Sequence, residues 1–259
     1  NPDPSFNGTG YVRATSPQQG GGVTCVVDSS DRVMVVGFTW NGFNWDLTVW
    51  RYNPDGTPDT SFNGTGYVFH DGAAGGNGED IGVGIALDAS GRVVLAGYST
   101  NGSGDQDMTV WRYNPDGTPD TTFGGTGHMS HNNAAGGNGN DVGRDIVFDT
   151  ANRIIVTGWS PQGAVDTNGD LAIWRINNNG TLDTTFNDTG YVTHNGAAGS
   201  SGNDEGRAVI LDSAGRILVT GESLNTAGNA DMVIWRFNAN GTPDPALHGT
   251  GYLVHASAA

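Results

Sequence analysis

A Trp-Arg pair that recurs four times is the feature that most constrains how this chain can fold. The pairs begin at Trp50, Trp111, Trp174 and Trp235. Their spacings of 61, 63 and 61 residues are the self-similarity at a nearly fixed period that marks a repeat architecture. Each pair ends a run rich in β-branched and aromatic residues, of which Asp107-Met-Thr-Val-Trp-Arg is one. Such runs favour strands, so the sequence predicts four copies of one strand-containing unit.

Each unit contains three further runs that predict strands. In the second unit they are residues 81–88, residues 92–98 and, after the Trp-Arg run, residues 127–131. The first two runs flank Asp88-Ala-Ser-Gly-Arg, a short hairpin turn that contains glycine. The linker after the Trp-Arg run contains Pro115-Asp-Gly, in which proline fixes φ and glycine accepts a positive φ. Each unit is therefore predicted to be a four-stranded antiparallel meander.

A single meander exposes two faces and two edges and is barely stable alone. Four units that bury one another's faces predict an all-β fold, a β-propeller of four four-stranded blades with one extra terminal strand. A linear array of sheets or a β-solenoid is the alternative, but solenoid coils are much shorter than these units. We interpret residues 1–259 as one domain with units at residues 15–70, 71–131, 132–194 and 195–255, and residues 1–14 as an extra copy of the last strand.

The units resemble a known bacterial repeat. Residues 88–127 contain Asp-x-x-Gly-Arg, then Val-Val-x-Ala-Gly, then Asp-x-x-Val-x-Arg-Tyr-Asn-x-Asp-Gly. This pattern is similar to the delta-60 repeat, a β-propeller repeat, and the similarity extends over essentially the whole chain. The resemblance implies a propeller and a bacterial protein that is often secreted or surface-exposed, and it implies no activity. The Trp before each Arg departs from the family, which usually has a smaller residue there.

The two ends of the chain leave ring closure open. A segment similar to Phe62-x-Gly-Thr-Gly-Tyr occurs five times, whereas the other three strands of the unit occur four times. Both terminal copies carry a second proline, Pro4 and Pro245, which suits the edge or the end of a sheet. Three arrangements remain: a closed monomeric ring with a spare strand, a strand that docks on a neighbouring molecule to give an oligomer or fibre, and a part of a longer array.

The charge composition excludes several functions. The chain has 27 acidic and 11 basic residues, a formal net charge of -16, and every basic residue is Arg. A nucleic-acid binder needs a basic patch that this chain has little to build from. No apolar run approaches the roughly 18 residues of a membrane helix, so no membrane span is predicted. The single cysteine, Cys25, excludes an internal disulfide; aligned with the small Ala86, it is predicted to lie in the core.

Recurrent charged and aromatic residues predict structural contacts. Most Arg residues recur at two places in the unit, after the hairpin turn and after the Trp, and Asp recurs at the turn and at the start of the third strand. We therefore expect bidentate Arg–Asp pairs within or between blades. The recurrent Trp residues are expected to pack between blades, since large aromatic side chains dominate such burial.

Four histidines at equivalent positions form the first candidate metal site. They are His70, His131, His194 and His255, near the end of the last strand of each unit. If these strands lie near the propeller axis, four imidazoles face one channel, where they suit a transition metal. The alternative is that each His caps its own strand and hydrogen-bonds a loop in its own blade.

Two kinds of acidic loop are candidate calcium sites. Asp166, Asn168 and Asp170 place oxygen side chains at alternate positions, as calcium loops do, although no bidentate Glu follows. Ordinary Asx turns are the alternative. The Gly-rich loops that end at Asp80 and Asp141 match part of a calcium-binding nonapeptide, but their copies are too far apart to stack as that repeat does. The other interpretation is a connection whose Asp accepts backbone N–H groups.

Aromatic residues that break the repeat cluster on one hairpin loop of the first unit. They are Trp40, Phe43 and Trp45. Exposed aromatic side chains on a loop stack on sugars or mark a protein contact. The alternative is that they cover a core left incomplete by the short loop at residues 16–23.

Together these features predict a non-catalytic secreted or cell-surface bacterial β-propeller that acts as a binding or structural module. Its expected partners are a protein or carbohydrate at the extracellular surface, with self-association as an option. One alternative is a subunit of an extracellular assembly or fibre joined by strand exchange at the termini. The other is a propeller hydrolase or lyase, for which the sequence offers no Ser/His/Asp group and no phosphate loop. No cofactor is firmly predicted; calcium and a transition metal at the His ring are the candidates.

Overall fold

The runs rich in β-branched and aromatic residues form strands in the computed structural model, which describes residues 1–13, 19–163 and 168–256. These residues form strands and turns without any helix, and so none of them forms a helix able to cross a membrane. The strands are β1 (Gly20–Val27), β2 (Val33–Trp40), β3 (Trp45–Tyr52), β4 (Tyr67–His70), β5 (Gly75–Leu87), β6 (Val93–Asn101), β7 (Gln106–Tyr113), β8 (His128–His131), β9 (Val142–Phe148), β10 (Ile154–Pro161), β11 (Gly169–Ile176), β12 (Tyr191–His194), β13 (Gly199–Leu211), β14 (Ile217–Asn225), β15 (Ala230–Phe237) and β16 (Tyr252–His255).

Four consecutive strands at a time form an antiparallel sheet in chain order. We name the sheets blade 1 (β1–β4), blade 2 (β5–β8), blade 3 (β9–β12) and blade 4 (β13–β16). The all-β prediction and the predicted four four-stranded propeller blades are confirmed. β5 and β13 begin earlier than expected, because the Gly-rich segments at Gly75 and Gly199 already belong to the strands.

The first strand of each blade lies on the inner side of the array. β5 contacts β1 and β9, and β13 contacts β9, whereas the fourth strands contact mainly the third strand of their own sheet. The inner strands are closely packed at glycines. A Cβ atom on Gly158 of β10 would lie 1.8 Å from the Val142 backbone oxygen of β9. The fourth strands, which carry the recurrent histidines, are therefore the outer strands.

The core consists of the junctions between blades. We call the face that a blade turns to the following blade its front, and the opposite face its back. Met108 and Val110 on the front of blade 2 pack with Val156 and Trp174 on the back of blade 3, and all four are 0% exposed. Trp111 and Trp235 are buried in the same way at the other two junctions, which confirms for three of the four recurrent Trp residues that they pack between blades; Trp50 is on the back of blade 1, which no blade covers.

A buried Arg at the end of the third strand ties each of the first three blades to the next. In blade 2, Arg112 is 1% exposed, and its Nε lies 2.8 Å from the Asp120 carboxylate. Its Nη1 donates to the Asn178 backbone oxygen of blade 3 at 2.7 Å, and its guanidinium carbon lies 4.6 Å from the Phe123 ring centroid. The predicted Arg–Asp pairing is confirmed, but this pair is a single Nε contact rather than a bidentate one, and its carboxylate comes from the linker rather than from Asp107.

The first and fourth blades do not cover each other. On the front of blade 4, Met232 is 44% exposed, whereas its counterpart Met108 is 0% exposed. Cys25, predicted to be core, is exposed on the back of blade 1. The prediction was wrong by one residue: Cys25 pairs with Val35 and is therefore the counterpart of Ile85, on the face that an earlier blade would cover.

The extra N-terminal copy lies against blade 1 as a set of turns. The Asn7 N–H donates to the Asp55 backbone oxygen at 2.6 Å. The equivalent bond between blades 1 and 2 runs from the Asn63 N–H to the Asp116 backbone oxygen at 2.7 Å. Residues 11–13, where the extra strand was expected, are not in a strand, and Ala14 lies outside the described residues.

Candidate functional site

The aromatic hairpin of blade 1 presents one fully exposed ring beside two packed ones. Trp40 and Trp45 pair across β2 and β3, and their ring centroids lie 5.2 Å apart in an edge-to-face arrangement. Phe38 packs on Trp45 in the same manner at 5.1 Å. Phe43, at the loop tip, is 90% exposed. The structure therefore places the three predicted residues on one hairpin, packs the two Trp rings together and leaves Phe43 available for contact.

Two asparagines fix the backbone of this loop. The Asn41 side-chain oxygen accepts the N–H groups of Phe43 at 2.7 Å and Asn44 at 3.0 Å, which is an Asx turn. The Asn44 amide donates to the backbone oxygens of Asn77 at 2.7 Å and Gly78 at 2.8 Å in blade 2. The exposed Phe43 ring is thus carried on a loop that is anchored to the neighbouring blade rather than on a loose tip.

A group of three carboxylates lies at the base of the same hairpin. Asp46 follows Trp45 directly, and one carboxylate oxygen from each of Asp46, Asp71 and Asp80 lies within 4.8 Å of the others. Asp46 accepts the Asn41 amide at 2.9 Å. In the described residues this is the sole group of three or more His, Cys, Asp or Glu side chains with metal-ligand spacing. Three carboxylates supply part of the roughly 6–8 oxygen ligands that Ca²⁺ takes.

Burial and mutual repulsion shift the protonation of this group. Burial, with a smaller contribution from the charges of Asp71 and Asp80, raises the pKa of Asp46 to about 6 against the opposing hydrogen bond from Asn41. Burial also raises the pKa of Asp80, although N–H groups of Gly72 and Ala73 bond its carboxylate. The interpretation of Asp80 as an acceptor of backbone N–H groups is therefore confirmed.

The Asp46 carboxyl makes the protein less stable as the pH rises. Its folded pKa of about 6 exceeds the ordinary value of 3.8 for an Asp carboxyl, so between these two pH values the folded state binds more protons and the unfolding free energy falls with increasing pH. Asp71→Asn removes one neighbouring charge and should raise Tm at pH 7.5 by about 2–4 °C, equivalent to about 1 kcal/mol, with no gain near pH 4. Thermal unfolding at both pH values tests this.

Asp188→Asn is the matched control, since Asp188 is exposed at a turn and the replacement changes the net charge equally. It should leave the Tm difference between the two pH values as it is in the wild type. The natural counterparts of Asp71 are already Asn132 and Asn195. A pH profile that does not change in Asp71→Asn would mean that the carboxylates do not interact.

The four histidines do not share a site, so the predicted ring of imidazoles is wrong. They lie on the outer strands, and three of them are at separate blade junctions, each against the Trp of the next blade. The Trp174 indole N–H donates to His131 Nδ1 at 3.1 Å, and the Trp235 indole donates to His194 Nδ1 at 3.3 Å. Burial lowers the pKa of His70 to about 4, so its imidazole is neutral at pH 7. His255, on blade 4, is exposed.

The proposed calcium loop before β11 is only partly described. Asp166 lies outside the described residues. Asp170 is 3% exposed, accepts the Gln162 amide at 2.9 Å, and burial raises its pKa to about 6. The Asn168 backbone oxygen accepts the Gln162 N–H. In the equivalent loop of blade 2, Asn101 forms an Asx turn with the Ser103 N–H, as the alternative interpretation expected.

One charged network was missed because only recurring charges were considered. Arg144 Nε lies 2.6 Å from Glu205, and Arg207 lies 2.9 Å from both Glu205 and Glu222. Arg144 and Arg207 occupy the position in the inner strands where blade 1 has Val23. The charged residues at this position break the repeat, and that irregularity in the sequence would have revealed the network. All four charged groups are paired, so the network joins blades 3 and 4.

The family comparison agrees with the observed blades. A family model described as "Domain of unknown function (DUF5122) beta-propeller" matches residues 29–62, 89–123, 152–186 and 215–246. Each match falls at one blade, and together they cover more than half of the chain. The matches confirm a β-propeller repeat family and do not extend to the narrower delta-60 repeat. No curated protein matches the chain.

Solved structures resemble the chain at low sequence identity, which shows the fold alone. A levansucrase mutant from B. megaterium is 10% identical, with 93% of this chain and 71% of that chain covered and a TM-score of 0.51. A fucose lectin from Kordia zhangzhouensis in complex with methyl-fucoside is 15% identical, with 67% and 96% covered and a TM-score of 0.38. A GH43_12 protein from a capybara gut metagenome is 11% identical, with 93% and 43% covered and a TM-score of 0.44.

Proposed function

Because the chain belongs to the DUF5122 β-propeller family, whose description assigns no activity, we propose from its own residues that it is a non-catalytic binding module. The blade 1 hairpin binds carbohydrate, and the module works outside the cell as part of a secreted or surface-displayed bacterial protein. The observation that carries the proposal is the 90% exposed ring of Phe43 on a loop anchored by Asn41 and Asn44. An exposed aromatic ring held at little entropic cost is a contact residue rather than a core residue.

The surroundings of Phe43 favour a sugar over an apolar peptide. Ligand sites combine aromatic surfaces with a few polar groups that fix orientation. The Asn77 backbone oxygen accepts the Asn44 amide at this loop, and the exposed Asp71 carboxylate lies near Asp46 at the base of the hairpin, so exposed Asn77 and Asp71 offer acceptors for hydroxyl groups. An apolar protein contact would instead desolvate these acceptors without replacing their hydrogen bonds. The same hairpins in blades 2 and 4 have no aromatic residue at their tips, so we propose one site per chain.

Phe43→Ala is expected to lower carbohydrate affinity at least about ten-fold, because loss of a central aromatic contact costs more than about 1.4 kcal/mol at hot-spot positions. A glycan array identifies the ligand with the wild-type protein, and isothermal titration compares the variants. Ser103→Ala is the control, since Ser103 occupies the same Asx-turn position in the blade 2 hairpin and should leave binding unchanged.

Three outcomes would contradict the proposal. If the wild type binds no glycan on the array, the carbohydrate assignment fails. If a glycan binds and is cleaved on incubation, as followed by mass spectrometry, the enzyme alternative is correct and the module is catalytic. Equal binding by wild type and Phe43→Ala would move the site away from this hairpin.

A further inference from the structure

The front of blade 4 is the uncovered counterpart of a surface that is buried three times in the same molecule, with Glu222 in the place of Phe38, Tyr98 and Trp159. Met232 is 44% exposed, whereas its counterparts Met108 and Leu171 are 0% exposed under the following blade. Ile210 on β13 and Leu253 on β16 are 62% and 38% exposed on the same face. Several exposed apolar side chains on one sheet face mark an interaction site, although the charged Glu222 lies opposite Met232 on this face. The three internal junctions show what such a face binds, namely the back of another blade.

The back of blade 1 is the matching half of such a junction. Val27 is 54% exposed, Tyr67 is 43% exposed and Phe69 is 66% exposed, and Cys25 is exposed beside them. The counterpart of Val27 in blade 2 is Leu87, which packs on the core between blades 1 and 2. One chain thus carries both halves of an additional junction, at opposite ends of the array.

The outer strands of blades 4 and 1 also carry the polar and aromatic residues that meet at an internal junction. At the third junction, His194 packs 4.9 Å from the Tyr252 ring, measured between centroids. The exposed His255 of blade 4 is the counterpart of His194, and Tyr67 of blade 1 is the counterpart of Tyr252. At each internal junction the buried Arg donates to a backbone oxygen in the next blade, as Arg112 does in blade 2. The front of blade 4 offers the same group.

We propose that the front of blade 4 binds the back of blade 1 in a second copy of this chain, so that two copies join head to tail. The two faces of a junction are different, and a contact between unlike faces is heterologous: it closes a ring or extends a chain of copies. This contact buries sheet faces and differs from strand exchange at the termini. It does not involve the Phe43 loop, so it is independent of the proposed carbohydrate binding.

The N-terminal segment competes for part of this contact. The Asn7 N–H donates a hydrogen bond to the Asp55 backbone oxygen. The equivalent bond at the first junction runs from the Asn63 N–H of blade 1 to the Asp116 backbone oxygen of blade 2. His248 is the counterpart of Asn63 in blade 4, so the His248 N–H of a second copy would bond to the same Asp55 backbone oxygen. Residues 1–13 therefore have to leave before the outer part of the contact forms. Their removal should strengthen association.

Ala208 and Cys25 provide a test of the geometry. Ala208 is the counterpart of Gly84 and Asp145, and Cys25 is the counterpart of Ile146 and Val209. Between blades 2 and 3, a Cβ on Gly84 would lie 3.3 Å from Ile146 Cγ2. Between blades 3 and 4, the Asp145 carboxylate accepts the Val209 N–H at 2.8 Å. Two cysteines at this pair of positions are therefore close enough for a disulfide.

The experiment is oxidation of Ala208→Cys, in which Cys25 is the native partner, followed by non-reducing electrophoresis and peptide mass spectrometry. We expect covalent dimers and larger species linked through residues 25 and 208. The double variant Ala208→Cys with Cys25→Ser should form no disulfide between positions 25 and 208. Ser213→Cys, on an exposed turn of blade 4 outside the face, should link to Cys25 at least about ten-fold less. A disulfide between these residues within one chain, or no linkage above the Ser213→Cys level, would overturn the proposal.

Sedimentation velocity gives a readout that does not depend on a new cysteine. Met232→Asp places a charge on the contact face and should weaken association at least about ten-fold, since an unpaired charge is costly to desolvate there. Deletion of residues 1–13 should strengthen it by a similar factor. Circular dichroism checks that both variants are folded. If both folded variants associate like the wild type, a second copy does not occupy this face.

Discussion

Replacement of Asp120 by Ala is expected to lower the unfolding free energy by about 3–5 kcal/mol, because it leaves a buried guanidinium without its counter-charge. The Asp120 carboxylate bonds both Arg112 at 2.8 Å and Arg92 at 3.0 Å. Burial raises the pKa of Asp120, but hydrogen bonds from Thr122 and the charges of Arg112 and Arg92 outweigh it, so the pKa lies below its usual value. Thermal or urea unfolding at pH 7 measures the loss, at about 2–4 °C in Tm per kcal/mol.

The fourth blade offers the matched control for this change. Asp244 is the counterpart of Asp120 and bonds Arg236 at 2.7 Å, but the Arg236 side chain is 17% exposed, whereas that of Arg112 is 1% exposed. Solvent can replace the lost partner of Arg236, so Asp244→Ala should destabilise the protein far less. Equal losses in the two variants would show that burial by the next blade does not determine the strength of this pair.

Gly158→Ala is the second change with a large expected effect, about 3 kcal/mol or more of destabilisation. The added Cβ would lie 1.8 Å from the Val142 backbone oxygen across the β9–β10 pair. A backbone atom cannot rotate away as a side chain can, so the two strands have to separate and lose hydrogen bonds at the centre of blade 3. The same close approach recurs at Gly97 against Ile81 and at Gly221 against Glu205.

Gly163→Ala is the control, since a Cβ at Gly163 meets no atom of the described residues within 4 Å. It should leave the urea midpoint within experimental error of the wild type. Both variants gain one methyl group in blade 3, so a difference between them isolates the clash. A Gly158→Ala protein as stable as Gly163→Ala would mean that the β9–β10 pair adjusts without cost.

The repeat made most of the fold predictable, because the same pattern of strands and turns occurs in each of the four units. The Trp-Arg runs, the turn at Asp88 and the Pro115-Asp-Gly linker all lie where the sequence placed them. The orientation of a blade was not predictable. The alternation of side chains along a strand indicates which of them share a face of the sheet. It does not indicate which of the two edge strands of a meander lies on the inner side. The His ring failed for that reason, since His70 and its counterparts lie on the outer strands.

The candidate site was predictable in part. Trp40, Phe43 and Trp45 stood out because they break a repeat, and sequence proximity within one hairpin brought them together. The carboxylate group of Asp46, Asp71 and Asp80 was not found, since it joins two neighbouring units. Only the stacking of β3 against β5 makes those residues neighbours.

The junctions between unlike faces have a consequence for how such chains vary in length. Every blade carries one front and one back, so a unit inserted between any two blades makes two junctions of the kind already present. A duplication or deletion of one whole unit of about 61 residues therefore leaves every blade with a junction of the same kind, as in other stacked repeats, although contacts that occur at one junction alone, such as Arg144 with Glu205, are lost where that junction changes. The number of blades in proteins of this design can therefore change by recombination. Insertions or deletions inside a unit instead disturb the packing of that blade against both of its neighbours.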